Sequence, residues 1–250
     1  MNIDFQGQTV LVTGATRGMG KQFADDFANL GANLILTGTG KDEIETLNRE
    51  AKHDRQSSKK YYAVDFANAD STKTFIEAIE AYQKIDVCIN NAGINRINFI
   101  DETLLKDWKE ILAVNLEAPF MITRTVSRLM KKNRYGRIIN IASIFGVISK
   151  AKRSMYTTTK FGLRGLTVAS AIELAPYNVL VNSVSPGFVL TELTRNILSE
   201  VEMEDLARQV PIGRFAETDE ISRVVLFLAS SLNTYLTGQN IVVDGGFVNV

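Results

Sequence analysis

The chain holds 250 residues, 45% hydrophobic and 22% charged, which suits one large α/β domain or two small ones with ample core. Its 28 Lys plus Arg balance 28 Asp plus Glu, so no general field draws it to nucleic acid or to an anionic membrane. One cysteine, Cys88, excludes an internal disulfide and fits a reducing compartment. One histidine, His53, stands in a polar stretch with no Cys or His cluster near it, so no metal is expected. Met1 to Gly7 is polar and unlike a signal peptide, and no apolar run approaches bilayer-spanning length, so the expectation is a cytoplasmic protein without a membrane partner.

Along the chain, short apolar runs alternate with longer amphipathic segments, the pattern of an α/β fold with a doubly wound parallel sheet and helices on both faces. Strands are expected at Thr9–Thr13, Asn33–Thr37, Tyr61–Val64, Val87–Asn90, Gly136–Ala142, Leu180–Val184 and Ile241–Val243. Seven strands with helical spacers leave no place for a domain break, so residues 1–250 read as one domain. The first strand runs into Thr13-Gly14-Ala15-Thr16-Arg17-Gly18-Met19-Gly20 and then a helical run at Lys21–Asn29. Strand, glycine turn and helix in that order form a dinucleotide fingerprint: the glycines let backbone approach a pyrophosphate, and the helix start supplies free N–H donors.

The second strand ends in Thr37-Gly38-Thr39-Gly40, with no carboxylate before Asp42. A carboxylate there would accept from the adenosine ribose and repel a 2′-phosphate, whereas Arg17 and Lys41 are placed to approach one, so NADP(H) is expected over NAD(H). Asp65, ending the third strand, either accepts from the adenine amino group or caps the following turn. Cys88, inside the fourth run, reads as a small buried hydrophobe. Asn90-Asn91-Ala92-Gly93 closes that strand with two carboxamides and a glycine. Asn115 falls mid-helix among apolar neighbours, so its amide is either satisfied by a local carbonyl or organises water. The longest stretch without a strand signal follows Pro186, and its first part, about 187–213, is either a substrate-covering lid or a surface helix pair.

The chemistry centres on Tyr156 and Lys160, with Ser143 thirteen residues upstream at the end of the fifth strand. Residues four apart share a helix face, so the Lys160 ammonium sits near the Tyr156 ring. A free phenol titrates near 10 and carries protons poorly at neutral pH. A cation about 5 Å away, at an effective dielectric of about 20, favours phenolate by roughly 3 kcal/mol. The phenol then becomes a usable general acid and base, and Ser143 can hold a substrate oxygen beside it.

In order and spacing, Thr13-Gly14-x-x-x-Gly18-x-Gly20, Asn90-Asn91-Ala92-Gly93, Asn115, Ser143, Tyr156-x-x-x-Lys160 and Pro186-Gly187 resemble the classical short-chain dehydrogenases/reductases over essentially the whole chain. The resemblance implies a single-domain Rossmann fold, a nicotinamide cofactor and a homotetramer. It implies Tyr156 as proton donor or acceptor, Lys160 lowering its pKa and binding the nicotinamide ribose, Ser143 orienting substrate and Asn115 holding a proton-relay water. It places Pro186, Gly187 and Val189 beside the nicotinamide and Thr191 at its carboxamide. Gly14, Thr16, Arg17, Gly18, Met19, Gly20, Thr39, Asp65, Asn91, Ala92 and Gly93 complete the implied cofactor site.

Two resemblances bear on a small-molecule substrate. Arg96, in Asn91-Ala92-Gly93-Ile94-Asn95-Arg96, and the end Asp244-Gly245-Gly246-Phe247 are similar to sugar and polyol dehydrogenases, including gluconate 5-dehydrogenases. Arg96 either binds an acidic or hydroxyl-rich substrate or pairs with Asp101 or Glu102; Lys150 and Arg153 add positive charge to the same rim. The expectation is therefore a keto-sugar, polyol or keto-acid. Gly136-Arg137-Ile138-Ile139-Asn140-Ile141 and Val184-Ser185-Pro186-Gly187-Phe188 resemble 3-oxoacyl-acyl-carrier-protein reductases, the alternative. Those enzymes dock an acidic carrier on basic residues; Arg134 matches one such position, but Tyr177 occupies the other. A non-catalytic dinucleotide-sensing module is the remote alternative, since nothing chemical would then demand the tyrosine, lysine and serine together. Self-association is expected through two helices, roughly Glu102–Lys132 and Met155–Pro176.

Overall fold

Successive residues of a strand face opposite sides of a sheet, and in this chain both sides are apolar. Val10, Val12, Leu34, Leu36, Val87, Ile89, Ile139 and Ile141 pack with Phe23, Phe27, Ile221 and Val225 on one side. Leu11, Ile35, Cys88 and Ile138 turn the other way, against Phe75, Ile79, Ile122 and Val126. Strands of this kind must be covered on both faces. The computed structural model, which describes residues 3–52, 58–197 and 199–250, shows how.

The first half runs β1 (Thr9–Val12), α1 (Gly18–Asn29), β2 (Asn33–Gly38), α2 (Lys41–Ala51), β3 (Lys59–Ala63), α3 (Ala69–Glu80), β4 (Val87–Asn90), α4 (Leu105–Leu112) and α5 (Ala118–Asn133). The second half runs β5 (Gly136–Ile141), α6 (Ser154–Leu174), β6 (Val179–Pro186), α7 (Glu192–Ile197), α8 (Glu200–Arg208), α9 (Thr218–Ala229) and β7 (Asn240–Val243). The seven strands lie in the order β3-β2-β1-β4-β5-β6-β7 and every pairing is parallel. Helices α1 and α9 bury one face, while α3, α5 and α6 bury the other. Strand order reverses between β1 and β4, and a crevice opens at the carboxyl ends of strands at such a switch point.

All seven expected strands are present, with two informative differences at their ends. Strand β6 extends through Ser185 and Pro186 because its polar residues find partners: the Ser183 and Ser185 hydroxyls both donate to Asn240 Oδ1 at 2.8 Å. Strand β3 begins at Lys59, two residues early and ends at Ala63, since an edge strand tolerates charged side chains. Asn115 lies in a π-helical stretch, Ala113–Glu117, between α4 and α5. Cys88 is fully buried, and burial pushes its thiol up, as befits a core residue. His53 lies outside the described residues.

Candidate active site

The glycine turn is held from three strands. Gly14 N donates to Thr37 Oγ1 at 3.0 Å and Ala15 N to Thr37 O at 2.7 Å, tying the turn to β2. Asn91 Nδ2 donates to Thr13 O at 2.9 Å and to Gly14 O at 3.1 Å, tying it to β4. Thr13 Oγ1 in turn accepts from the backbone N–H of Asn91 and Ala92. Two glycines are obligatory here. Gly14 has φ +65°, and a Cβ on Gly20 would lie 2.0 Å from Gly14 O. Helix α1 then begins at Gly18 with no side chain capping it, which leaves its first-turn donors and the positive end of its dipole for an anion.

In front of this turn lies a cleft of about 370 Å³. Twelve of the expected cofactor residues line it: Gly14, Thr16, Arg17, Gly18, Met19, Gly20, Thr39, Asp65, Asn91, Ala92, Gly93 and Thr191. The glycine cradle, the uncapped helix start and the run of lining residues to Gly93 fit a nicotinamide dinucleotide. Asp65 lines the cleft, and its Oδ1 accepts from Ala67 N at 2.9 Å, the turn-capping bond expected for it. Lys41 does not line the cleft. Glu43, two residues further along the same helix, does, and the sequence reading missed it. Pro186, Gly187 and Val189 end β6 beside the cleft rather than in its wall. Gly187 N donates to Val243 O, and a Cβ on Gly187 would come within 2.8 Å of Asp244.

The chemical groups meet where β5 ends and α6 begins. Ser143, at 9% exposure, accepts from Phe145 N at 3.2 Å, and its hydroxyl acts on the Tyr156 phenol, favouring the ionised form. Lys160 is 4% exposed, its Nζ 5.5 Å from the Tyr156 ring centroid, close to the expected spacing. Its ammonium, however, donates to Ile141 O at 2.8 Å, and burial lowers its pKa from 10.5 to about 8. Burial pushes the Tyr156 phenol above its ordinary value, with the Ser143 hydrogen bond and the Arg153 guanidinium pulling it back. Ser143 and Arg153 thus act on the phenol alongside Lys160, whose ammonium is held on a carbonyl beside the ring.

Asn115 is 1% exposed and fully engaged. Its Oδ1 accepts from Ile94 N at 2.8 Å, and its Nδ2 donates to Ile94 O at 2.9 Å and Thr159 Oγ1 at 3.2 Å. The side chain therefore clasps the loop after β4 to the catalytic helix. Arg96 is also engaged: its guanidinium lies 2.9 Å from Glu110 and 4.0 Å from Asp107. It pairs with α4 rather than with Asp101 or Glu102, and is not a free substrate cation. Arg153 caps the start of α6, its Cζ 5.3 Å from the Phe145 ring centroid, while Lys150 Nζ lies 5.9 Å from the same ring.

Residues 187–213 leave the sheet and return. Leu190 N donates to Ala216 O and Ala216 N to Phe188 O, pinning the base of this excursion. Thr191 and Glu192 face the cleft, and α8 buries no residue. Arg134 and Tyr177 lie at the amino ends of β5 and β6, the sheet end away from the cleft. There Arg134 donates to Pro176 O, and Lys131 Nζ sits 4.3 Å from the Tyr177 ring centroid. Among the described residues no helix is long and apolar enough to cross a membrane, and no group of three ligating side chains could hold a metal.

A family model described as enoyl-(acyl carrier protein) reductase matches residues 14–248. The chain is 40% identical to a 3-oxoacyl-[acyl-carrier-protein] reductase of Aquifex aeolicus, over 98% of this chain and 99% of that protein. It is 36% identical to the enzyme of the same description from Thermotoga maritima, over 97% and 98%. Among solved structures, a gluconate 5-dehydrogenase from Burkholderia cenocepacia in complex with NADP and tartrate superimposes with a TM-score of 0.89 at 29% identity, covering 99% of this chain and 98% of that one.

Proposed function

The chain belongs to the short-chain dehydrogenase/reductase family and is an NAD(P)-dependent oxidoreductase, and from that premise we propose that it interconverts a polar ketone and its secondary alcohol, preferring NADP(H). The observation that carries the reaction is the buried Tyr156 phenol, acted on by Ser143, with Lys160 fixed on Ile141 O 5.5 Å from its ring. A nicotinamide dinucleotide in the glycine-lined cleft supplies or accepts the hydride. Tyr156 gives a proton to the carbonyl oxygen in reduction and takes it back in oxidation. Ser143 holds that oxygen, Lys160 faces the ribose end next to Gly93, and Asn115 holds the loop that carries Gly93 and Ile94. Residues 187–213 cover the substrate.

A keto-sugar, polyol or keto-acid is the substrate class we favour, on the likeness to a gluconate 5-dehydrogenase and on the cationic rim of Lys150 and Arg153. The loss of Arg96 to Glu110 removes one of its original supports. The second reading is a 3-oxoacyl-acyl-carrier-protein reductase, favoured by the curated relatives and by Lys131, which restores a cation on the Tyr177 ring. Because that patch lies at the far end of the sheet, a carrier docked there would serve the site of a neighbouring copy. The exposed Phe120 of α5 and Phe161, Val168 and Ile172 of α6 support self-association through these helices, as a tetramer.

The test is NADPH and NADH oxidation with 5-ketogluconate, other keto-sugars, small keto-acids and an acetoacetyl thioester, on wild type and Tyr156→Phe. We expect turnover of the polar ketones, and Tyr156→Phe to keep less than about 1% of kcat, the scale of a lost general acid, with NADPH affinity unchanged. Turnover of the thioester alone would reverse the choice of substrate class. A Tyr156→Phe enzyme that keeps a tenth of its kcat would remove the assigned roles.

A further inference from the structure

Among the described residues, the arginines withdrawn from water are, with one exception, held by hydrogen bonds, and Arg164 for one donates to Gly146 O. Arg96 faces Glu110, Arg128 faces Glu80, Arg214 faces Glu220 and Arg223 faces Asp219. The buried Arg137, its Nε likewise unpartnered, gives its two terminal nitrogens to the carbonyls of Gly136, Asn178 and Asn233. Arg153 is the exception. It is half-buried, its Nε is sealed from solvent with no hydrogen-bond partner, and among the described residues no carboxylate pairs with it.

A cation withdrawn from water without a counter-ion is costly, more so than the exposed arginines that do have one. Its position shows what could answer it. Arg153 packs on Phe145, whose ring meets the Tyr156 ring edge-on at 6.3 Å. Through that shared ring its guanidinium lies on the Tyr156 side of α6, within electrostatic reach of the phenol that exchanges a proton with the substrate.

Resting on the reductase reading above, we propose that Arg153 is the anion-binding group of the substrate pocket, receiving the carboxylate of a ketone whose carbonyl oxygen lies between Ser143 and Tyr156. The guanidinium fork matches the two oxygens of a carboxylate, and one carboxylate neutralises its charge. The binding energy is spent next to the reacting carbonyl, so the contact selects keto-acids over neutral ketones of equal shape. The aromatic floor of Phe145 keeps the guanidinium flat and confines it to that side of the pocket.

The experiment uses two ketones that differ only in charge, 5-ketogluconate and L-sorbose, in which a hydroxymethyl group replaces the carboxylate. Kinetics with NADPH are measured on wild type, Arg153→Gln and Arg153→Lys, and D-gluconate is titrated calorimetrically into each protein saturated with NADP+. Loss of a charge-assisted hydrogen bond predicts that Arg153→Gln raises KM for 5-ketogluconate and Kd for gluconate about 10- to 100-fold. KM for L-sorbose should move less than about threefold, and Arg153→Lys should recover part of the loss. Equal weakening of both ketones, or a gluconate Kd indifferent to Arg153→Gln, overturns the proposal. If wild type reduces neither ketone, the reductase reading for polar substrates fails, while the calorimetric arm still decides Arg153.

Discussion

Lys160 is the best place to test whether burial, rather than pairing, governs the electrostatics of this site. Nothing acidic compensates its ammonium, which burial takes from 10.5 to about 8. Between those values the unfolded chain holds a proton that the folded protein has shed, so stability rises with pH across that window. Below about pH 8 both states are protonated and the full cost is felt; a drop of about 2.5 at about 1.4 kcal/mol each makes it about 3 kcal/mol. About 2.5 kcal/mol of this is relieved between pH 7 and pH 10. The measurement is denaturant unfolding of cofactor-free wild type and Lys160→Met at both pH values. Other titrating groups cancel in the difference, and so does the Ile141 carbonyl left unpaired in the variant. Wild type should gain about 2.5 kcal/mol on Lys160→Met from the lower to the higher pH. A difference that stays flat would mean that Lys160 remains a fully solvated ammonium. The account of a partly discharged lysine would then be wrong.

The proposed preference for NADP(H) assigns opposing effects to Arg17 and Glu43, two of the charged residues that line the cleft. Arg17→Ala should cut kcat/KM for NADPH about 10- to 100-fold while leaving NADH within about threefold, and Glu43→Gln should move NADPH the other way. Equal losses for both cofactors in Arg17→Ala would place Arg17 on the shared pyrophosphate instead. Arg96→Ala should leave KM for acidic ketones unchanged and cost stability about 0.5–1 kcal/mol, because its guanidinium belongs to a half-exposed ion pair with Glu110. A selective rise in KM for acidic substrates would return Arg96 to the pocket.

The fold was legible because strands buried on both faces read as continuous apolar runs, and seven such runs are hard to arrange in any other way. The dinucleotide turn was legible for a related reason. Gly14 and Gly20 mark contacts no other residue tolerates, the first at φ +65° and the second with a carbonyl in the place of a Cβ. Strand ends were less clear where polar residues, such as Ser183 and Ser185, are buried by a partner that only the folded β7 brings to them. The π-helical stretch at Asn115 had no periodic signal of its own, and the amide looked misplaced until Ile94 was beside it.

Charge was the part of the site that sequence could only half disclose. Arg96, Lys150 and Arg153 carry the same charge and were expected on the same rim, yet their fates diverge for reasons of geometry. Asp107 and Glu110 are three residues apart on α4, so one helix face presents both carboxylates, and Arg96 on the preceding loop lies within reach. No acidic residue follows Arg153 before Glu173, at the far end of α6. The same absence that makes Arg153 unremarkable in sequence leaves its guanidinium uncompensated in the fold. Placed by Phe145 beside the Tyr156 phenol, it turns a missing partner into a preference for the substrate that brings one.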